Sequence, residues 1–260
     1  MSTGARGVTD AERLVIAAAR LLVGRRTVFA GHGVPTLAIS LAQRLYEPGL
    51  EIVYESGVVG PHPDRVPTSI SDSLLVTGAE CVVGMPQLFG YLIQGSRIDV
   101  GFLGAAQIDR QGNLNSTLIG GDYQQPQTRL PGSGGAIEVM AHAREVFVVI
   151  RMHSPRSLVS HLDFCTTPSP ARAGKQGGST QASGRGVSTL ITPKGTLRWA
   201  ADRGELILTA VARGTTVDDV VATTGWPLAV AGDIVEDPLP TVEELRILRE
   251  ELDPERIYLR

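Results

Sequence analysis

The chain has 260 residues, of which 42% are hydrophobic and 20% are charged, so it has the composition of a folded globular protein and not of a disordered or fibrous one. Its formal net charge is −3 and no long basic run occurs, which argues against nucleic acid or an anionic membrane as a partner. No apolar stretch approaches membrane-spanning length, and the first residues lack the apolar segment of a secretory signal, so a cytoplasmic protein is expected.

The first half of the chain alternates between helix and strand patterns. A capping box, Thr9 with Glu12 three residues later, opens an amphipathic helix that ends at Gly24. The following segments are predicted, in order, to be the strand RRTVFAG, the helix PTLAISLAQRLY, the strands LEIVY and ECVVG, the helix PQLFGYLIQG, the strand RIDVGFLGAAQI, the helix GAIEVMAHA, the strand EVFVVIRM and the short helix PRSLVSHLDF. This alternation is typical of an α/β domain with an open, mostly parallel sheet and flanking helices.

The second half is predicted to be richer in strands. Residues 171–186 are rich in glycine and serine and are predicted to form a long surface loop, with a lid as one interpretation. A hairpin that turns at 193–195, the strand ELILTAVA and a helix over 216–225 follow. A second capping box, Thr241 with Glu244, opens the last helix. Because no repeat or linker interrupts this order, residues 1–260 are predicted to form a single domain.

Two cysteines and five scattered histidines are present, and neither set has the paired spacing of a metal site. No metal centre is therefore expected. Both thiols, Cys81 and Cys165, lie in apolar segments and are expected to be buried.

The turn between the first strand and the second helix contains Gly31 and Gly33. These glycines resemble the start of a dinucleotide-binding fingerprint, but Thr36 stands where the third glycine should be. Free N–H groups at a helix N-terminus also bind anions. A tight turn and an anion or phosphate site both stay open, and an NAD site is the least favoured.

Glu55 ends the apolar segment LEIVY and is followed directly by Ser56 and Gly57. A carboxylate at such a position is either solvated surface or a reactive group, such as a base or a nucleophile. No G-x-S-x-G frame surrounds Ser56, which argues against a serine hydrolase. From the local sequence alone, the solvated turn is the favoured interpretation.

The segment PGSGGAIEV places Gly132, Gly134 and Gly135 directly before a predicted helix. Bare main-chain N–H groups can stabilise an oxyanion or allow a bulky ligand to approach. A flexible left-handed turn is the simpler alternative, and local sequence favours it. The earlier segment GAAQIDRQGNLNST, taken alone, indicates only a polar turn.

Taken in order, these segments resemble the β subunit of class I CoA-transferases, in particular the glutaconate CoA-transferase type. The resemblance rests on GHGVP, VYESG, GAAQIDRQGNLNST and GDYQQPQTRLPGSGGA, and it continues through LDFCTTP, ATTGWPL and ELDP. It therefore covers nearly the whole chain. It implies the open α/β sheet that this family shares with sugar-phosphate isomerases.

The resemblance also implies roles for individual residues. Glu55 would be the nucleophile of a ping-pong reaction through a glutamyl-CoA thioester, and Gly134 and Gly135 would stabilise the oxyanion. The residues implied to contact CoA or substrate are Gly31, Gly33, Ser56 and Gly57.

Coenzyme A is implied as a substrate, with no cofactor bound permanently, and an α subunit is implied as the partner that completes the active site. Two alternatives stay open. One is a CoA-thioester hydrolase or decarboxylase on the same scaffold, and the other is a non-catalytic partner subunit. The presence of Glu55 argues against the non-catalytic subunit and against branches of the family that have lost this glutamate. An enzyme in which Glu55 acts as a base on water or substrate is distinguished from a transferase by assay.

Overall fold

The computed structural model describes residues 7–31, 33–63, 66–67, 72–170 and 184–259. The elements of its first part are α1 (Asp10–Arg20), β1 (Thr27–Ala30), α2 (Val34–Leu45), β2 (Glu51–Tyr54), β3 (Val58–Val59), β4 (Cys81–Val82), α3 (Met85–Gln87) and β5 (Val100–Gly104). The later elements are β6 (Gln107–Ile108), β7 (Leu114–Asn115), β8 (Leu118–Gly121), β9 (Pro126–Arg129), α4 (Ala136–His142), β10 (Glu145–Val149), β11 (Val187–Thr192), β12 (Gly195–Ala200), β13 (Glu205–Val211), α5 (Val217–Ala222), β14 (Val230–Glu236) and α6 (Val242–Arg246). A 3-10 turn spans Ser73–Val76, and the π-helical turns Leu88–Ile93 and Ile247–Leu252 extend α3 and α6.

Ten strands form one sheet in the order β14-β13-β12-β11-β10-β5-β1-β2-β3-β4. The five central strands, from β11 to β2, all run parallel. The antiparallel pairings of this sheet lie toward its two edges, at β2-β3-β4 and β11-β12-β13, while β14 is again parallel to β13. Two further pairs, β6–β7 and β8–β9, are antiparallel and lie outside this sheet. The predicted α/β class with a mostly parallel sheet is confirmed.

Alternate residues of the central strands face two different cores, because successive side chains of a strand point to opposite faces. Val28 and Ala30 of β1 pack into the core beneath α1 and α2, whereas Phe29 between them packs into the core beneath α4. In β2, Ile52 and Val53 divide in the same way. Both faces of the sheet are thus buried, which explains the continuous apolar runs in the sequence.

The two predicted capping boxes are confirmed, and each capping glutamate also forms an ion pair with the other helical segment. Arg249 donates to Glu12 through Nε and Nη2, at 2.7 and 2.8 Å, and Arg20 donates to Glu244 through the same two groups, both at 2.7 Å. Burial is the largest single influence and raises the pKa of both carboxyl groups, but the hydrogen bonds from these arginines and from the capping threonines together outweigh it, and the net pKa is lowered. The pairs join α1 to the C-terminal helical segment.

Two local predictions are wrong. The segment ECVVG was expected to be a buried strand, but it forms only β4, at the edge of the sheet, where Cys81 is exposed; Cys165 is half-buried. The segment PRSLVSHLDF forms no helix. Its main chain instead pairs with β6, since Ile108 N donates to Ser157 O at 2.8 Å and Val159 N donates to Ile108 O at 2.9 Å. These tertiary hydrogen bonds replace those of a helix.

The remaining predicted elements are present with adjusted bounds. RIDVGFLGAAQI divides into β5 and β6, and the helix predicted over 216–225 already ends at Ala222. Most of the predicted surface loop at 171–186 lies outside the described residues. In the part of the chain that is described, no helix is long and apolar enough to cross a membrane.

Candidate active site

The carboxyl ends of the central parallel strands carry most of the predicted site residues. Gly31 and Gly33 follow β1, and Glu55 follows the neighbouring β2. On the other side of β1, the chain leaves β5 at Gly104. The carboxyl ends of parallel strands lie on the same side of a sheet, so these loops are neighbours in one row. In open α/β sheets, ligands usually bind at this position.

Glu55 lies in a tight turn that is closed by a hydrogen bond from Gly57 N to Tyr54 O, at 2.9 Å. The Glu55 side chain is half-buried and Ser56 is exposed, whereas the Tyr54 side chain is only 1% exposed and anchors the turn in the core. Burial also raises the pKa of the Tyr54 hydroxyl well above its ordinary value. The turn therefore holds a carboxylate at the surface end of a fixed strand.

Gly57 is required by two features of this turn. Its φ is +93°, a backbone conformation that favours glycine, and a Cβ atom at this position would lie 2.0 Å from the carbonyl oxygen of Val83. The two residues approach so closely because Val83 N donates to Gly57 O, at 2.9 Å. The glycine after Glu55 thus allows the chain beyond β4 to pack directly against the turn.

The structure brings Gly134 and Gly135 to the Glu55 carboxylate. A Cβ atom added at Gly134 would lie 3.3 Å from both Oε1 and Oε2 of Glu55, and one added at Gly135 would lie 3.4 Å from Oε1. Gly134 has a φ of +45°, and Gly135 is the residue that precedes α4. Residues that are far apart in the sequence, and whose shared role was only implied by resemblance, are therefore direct neighbours.

Residues 132–135, called the glycine loop below, are fixed by hydrogen bonds to Ser116. Ser116 belongs to the segment GAAQIDRQGNLNST, which was predicted to be a polar turn. Ser116 Oγ donates to Gly132 O and Gly132 N donates to Ser116 O, both at 2.8 Å. Thr166 Oγ1 in turn accepts from Ser116 N at 2.9 Å. Local sequence indicated only a polar turn at NLNST, so this supporting role was missed, although the density of polar side chains was a usable signal.

The rest of that segment is an internal polar network. Asp109 accepts hydrogen bonds from the main chain of Gln111 and from both the main chain and the side chain of Asn113. Asn115 is fully buried and donates to Gln107 Oε1 and Leu118 O, at 2.8 and 2.7 Å. The predicted turn is confirmed. Its polar groups are satisfied by hydrogen bonds within and around the β6–β7 pair, which they stabilise.

Phe89 is a site neighbour that sequence analysis did not single out. A Cβ atom at Gly135 would lie only 2.8 Å from Cζ and 2.9 Å from Cε1 of the Phe89 ring. The ring and the Glu55 carboxylate thus both lie close to the point where a Cβ atom of Gly135 would stand. Within a predicted helix, no local signal distinguishes Phe89 from an ordinary core residue.

The two glycines after β1 have different environments. Gly31 N donates to Phe102 O at 2.9 Å, and a Cβ atom there would lie 2.5 Å from the same oxygen. The N–H of Gly31 is therefore engaged within the sheet, as a tight turn requires. Gly33, with a φ of +88°, has open space around it and borders a cleft of about 460 Å³.

This cleft runs along the carboxyl edge of β1, β5 and β10. Its lining comes from the loops after these strands and includes Gly33, Gly104, Ala105, Met152 and Ser157. Its volume lies within the range of small-molecule sites, about 300–1,000 Å³. Among the described residues, no cluster of three or more His, Cys, Asp or Glu side chains is arranged to hold a metal ion.

A family model described as coenzyme A transferase matches residues 11–223. The chain belongs to the coenzyme A transferase family. Both the resemblance identified from the motifs and the enzyme class that it implied are confirmed. The row of loops around Glu55 is thus the candidate active site of a CoA-transferase chain.

Individual relatives agree with this assignment. The chain is 40% identical to the B subunit of the 3-oxoadipate CoA-transferase of Pseudomonas knackmussii, over 92% of this chain and 91% of the relative. It is 30% identical to the B subunit of the glutaconate CoA-transferase of Acidaminococcus fermentans, over 96% and 95% of the two chains.

Solved structures show the same fold. The crystal structure of the Acidaminococcus fermentans glutaconate CoA-transferase matches with a TM-score of 0.87 and 29% identity, over 98% of both chains. The decarboxylase AibA/AibB matches with a TM-score of 0.80 and 25% identity, over 96% of both chains. The chain is therefore a β-type subunit of the CoA-transferase family, on a scaffold that also occurs in a decarboxylase.

Proposed function

We propose that this chain is the β subunit of an acyl-CoA:carboxylate CoA-transferase in which Glu55 is the nucleophile. The observation that carries the proposal is that the Glu55 carboxylate lies 3.3–3.4 Å from the points where Cβ atoms of Gly134 and Gly135 would stand. A carboxylate is a weak nucleophile in water, and it is used where it is held against groups that stabilise the developing charge. The half-buried turn holds the Glu55 carboxylate in place, and the nearby glycine residues leave their main-chain groups accessible to the developing charge.

The proposed reaction proceeds in two half-reactions. A Glu55 oxygen attacks the thioester carbon of the acyl-CoA, the C–S bond breaks, and an acyl-glutamyl anhydride and CoA thiolate form. The thiolate then attacks the glutamyl carbonyl carbon, which releases the first acid as its carboxylate and leaves a glutamyl-CoA thioester. An acceptor carboxylate reverses both steps, so no proton is gained or lost overall.

The glycine loop suits the tetrahedral intermediates of these steps. Each attack places a negative charge on the former carbonyl oxygen, and donors aimed at that position lower the barrier. Gly134 and Gly135 contribute no side chain, so the acyl carbon bonded to Glu55 can approach their main chain directly. Gly33, Ser56 and Gly57 border the same edge and are proposed as contacts for CoA or substrate, whereas Gly31 is proposed to shape the turn.

An α subunit is proposed as the partner, since the relatives named above are B subunits. Val82, Met85 and Ile137 are 60%, 53% and 45% exposed, and they lie on β4, α3 and α4 beside the Glu55 turn and the glycine loop. Large apolar side chains grouped in this way mark an interaction surface. We propose that the α subunit covers them and completes the site. A cytoplasmic location is also proposed.

The proposed substrates are dicarboxylic acids and their CoA thioesters. The two relatives described above, at 40% and 30% identity, carry names of enzymes for dicarboxylates, 3-oxoadipate and glutaconate. A panel of mono- and dicarboxylic acceptors, assayed with one acyl-CoA donor, tests this class. Faster transfer to monocarboxylates than to dicarboxylates would contradict it.

The test of the nucleophile is Glu55→Gln in the complex with the α subunit. Loss of the attacking oxygen should lower CoA exchange by roughly 10³-fold or more, because the covalent intermediate can then no longer form. Glu51→Gln is the matched control. Glu51 is the first residue of the same strand, at the end away from Glu55, so this variant should exchange CoA at the native rate.

Trapping identifies the intermediate directly. Hydroxylamine added with acyl-CoA should convert Glu55 to a hydroxamate, detected by mass spectrometry of the peptide that contains it. Full exchange activity in Glu55→Gln, or a hydroxamate on a different carboxylate, would refute the proposed mechanism. Release of CO₂ from acyl-CoA without exchange would instead support the decarboxylase alternative.

A further inference from the structure

The aromatic ring of Phe89 and the Glu55 carboxylate both lie close to Gly135. The space where a Cβ atom of Gly135 would stand is shared by the ring edge, 2.8 Å away at Cζ, and by Glu55 Oε1, 3.4 Å away. A carbonyl carbon bonded to Glu55 therefore forms in the neighbourhood of this ring. Phe89 is thus an apolar side chain close to the proposed reaction centre.

The ring is held in place by the segment that carries it. Phe89 lies in the π-helical turn that extends α3, between the fully buried Leu88 and Ile93. It is itself partly buried and packs against the core beneath α4. π-helical turns often occur at functional sites, because they change the direction in which a side chain points. Here the turn directs Phe89 toward Gly135 and leaves Gly90 and Tyr91 exposed.

The proposed reaction requires that water be kept away from the carbonyl carbon on Glu55. This inference rests on the covalent mechanism proposed above. Water competes with CoA and with the acceptor acid for the glutamyl carbonyl carbon. If water attacks the glutamyl-CoA thioester, its oxygen bonds to that carbon and the C–S bond breaks. The products are the Glu55 carboxylate, CoA thiol and one proton, and the energy of the thioester is lost.

We infer that Phe89 keeps water from the carbonyl carbon on Glu55 and thereby sets the ratio of transfer to hydrolysis. A phenyl ring offers water no conventional hydrogen bond, and this ring fills space near the Glu55 carboxylate that water would otherwise occupy. Removal of the ring opens room for at least one water, whose share of liquid volume is about 30 Å³. Gly135 is part of the same arrangement, because any side chain there would displace the ring.

The test compares Phe89→Ala and Phe89→Leu with the native chain, each assembled with the α subunit. Thiol release without acceptor acid measures hydrolysis, and CoA transfer to an acceptor measures the productive reaction. Phe89→Ala should raise the ratio of hydrolysis to transfer about tenfold or more, while Phe89→Leu, which keeps apolar bulk, should restore it to within about threefold of the native value.

Leu92→Ala is the matched control for lost packing. Leu92 lies in the same turn and packs against the same core, but it is not among the nearest neighbours of a Cβ atom placed at Gly134 or Gly135. It should lower stability as Phe89→Ala does and leave the ratio unchanged. If Phe89→Ala fails to assemble, Phe89→Val replaces it under the same criterion.

The inference is overturned if the ratio stays at the native value in a Phe89 variant that still catalyses transfer. It is also overturned if the added hydrolysis persists in the double variant Phe89→Ala/Glu55→Gln, since water would then attack the substrate thioester itself. Failure of the covalent mechanism has a different signature, namely full exchange activity in Glu55→Gln or the absence of a hydroxamate on Glu55.

Discussion

Replacement of Gly57 by alanine should both destabilise the chain and misplace Glu55. The new methyl carbon would lie 2.0 Å from Val83 O, whereas real Cβ atoms essentially never come closer than 3.0 Å to such an atom. The obstacle is a main-chain carbonyl group and not the end of a flexible side chain. The turn or the chain beyond β4 must therefore move by about 1 Å.

The free-energy cost has two parts. A left-handed backbone conformation, here with φ of +93°, costs an L-residue roughly 1–2 kcal/mol. The displacement also disrupts the hydrogen bond from Val83 N to Gly57 O, and an unpaired buried main-chain group costs about 1–3 kcal/mol. The free energy of unfolding should therefore fall by roughly 2–5 kcal/mol, which lowers Tm by about 5–15 °C in a protein of this size.

Gly24→Ala separates backbone strain from the close contact. Gly24 has a φ of +78°, but a Cβ atom there would have nothing within 4 Å. Gly24→Ala should therefore lower the free energy of unfolding through backbone strain alone, by roughly 1 kcal/mol. Its Tm should be lower by only about 2–4 °C. Thermal unfolding followed by circular dichroism measures both variants, and CoA exchange measures the site.

Exchange should fall roughly 100-fold in Gly57→Ala at a temperature where the variant is folded, since a displacement of about 1 Å in a reactive group has an effect of that size. Gly24→Ala should exchange CoA at the native rate. Equal losses of Tm in the two variants would rule out the role of the Val83 contact. Native exchange activity in a destabilised Gly57→Ala would disprove the link between this turn and Glu55.

Two further predictions concern the glycine loop and a buried histidine. Gly135→Ala has an unstrained φ of −81°, but its methyl group would come within 2.8 Å of the Phe89 ring and 3.4 Å of Glu55 Oε1, so the ring must shift. CoA exchange should fall by roughly 10-fold or more and Tm by a few degrees, as parallel rate and melting measurements would show. Burial, with a smaller effect of Lys194, lowers the pKa of His153 to about 4. Between about pH 6.5 and 4 the unfolded chain therefore binds a proton that the folded chain does not, and the free energy of unfolding should fall by up to roughly 3 kcal/mol as the pH is lowered. His153→Gln should flatten this part of the pH profile of stability, and an unchanged slope in urea unfolding would contradict the assignment.

Local patterns predicted most of the fold because its elements follow strong local rules. The capping boxes at Thr9 and Thr241, and the apolar strands on both sides of β1, all formed where expected. The failures arose where tertiary contacts dominate. Leu158 pairs with β6 instead of entering a helix, and Cys81 is exposed because β4 lies at the sheet edge.

By itself, the sequence determined the class of fold and, through the order of its motifs, the family and the identity of the candidate nucleophile. It left the local meaning of Glu55 open, because a carboxylate before a glycine is also what a solvated turn contains. Only the tertiary structure placed Glu55 next to Gly134 and Gly135, with Phe89 close to the same point beside Gly135. The physical reason is that parallel strands end at a common edge, where loops from distant parts of the chain meet, and no local pattern encodes which of their atoms come into contact.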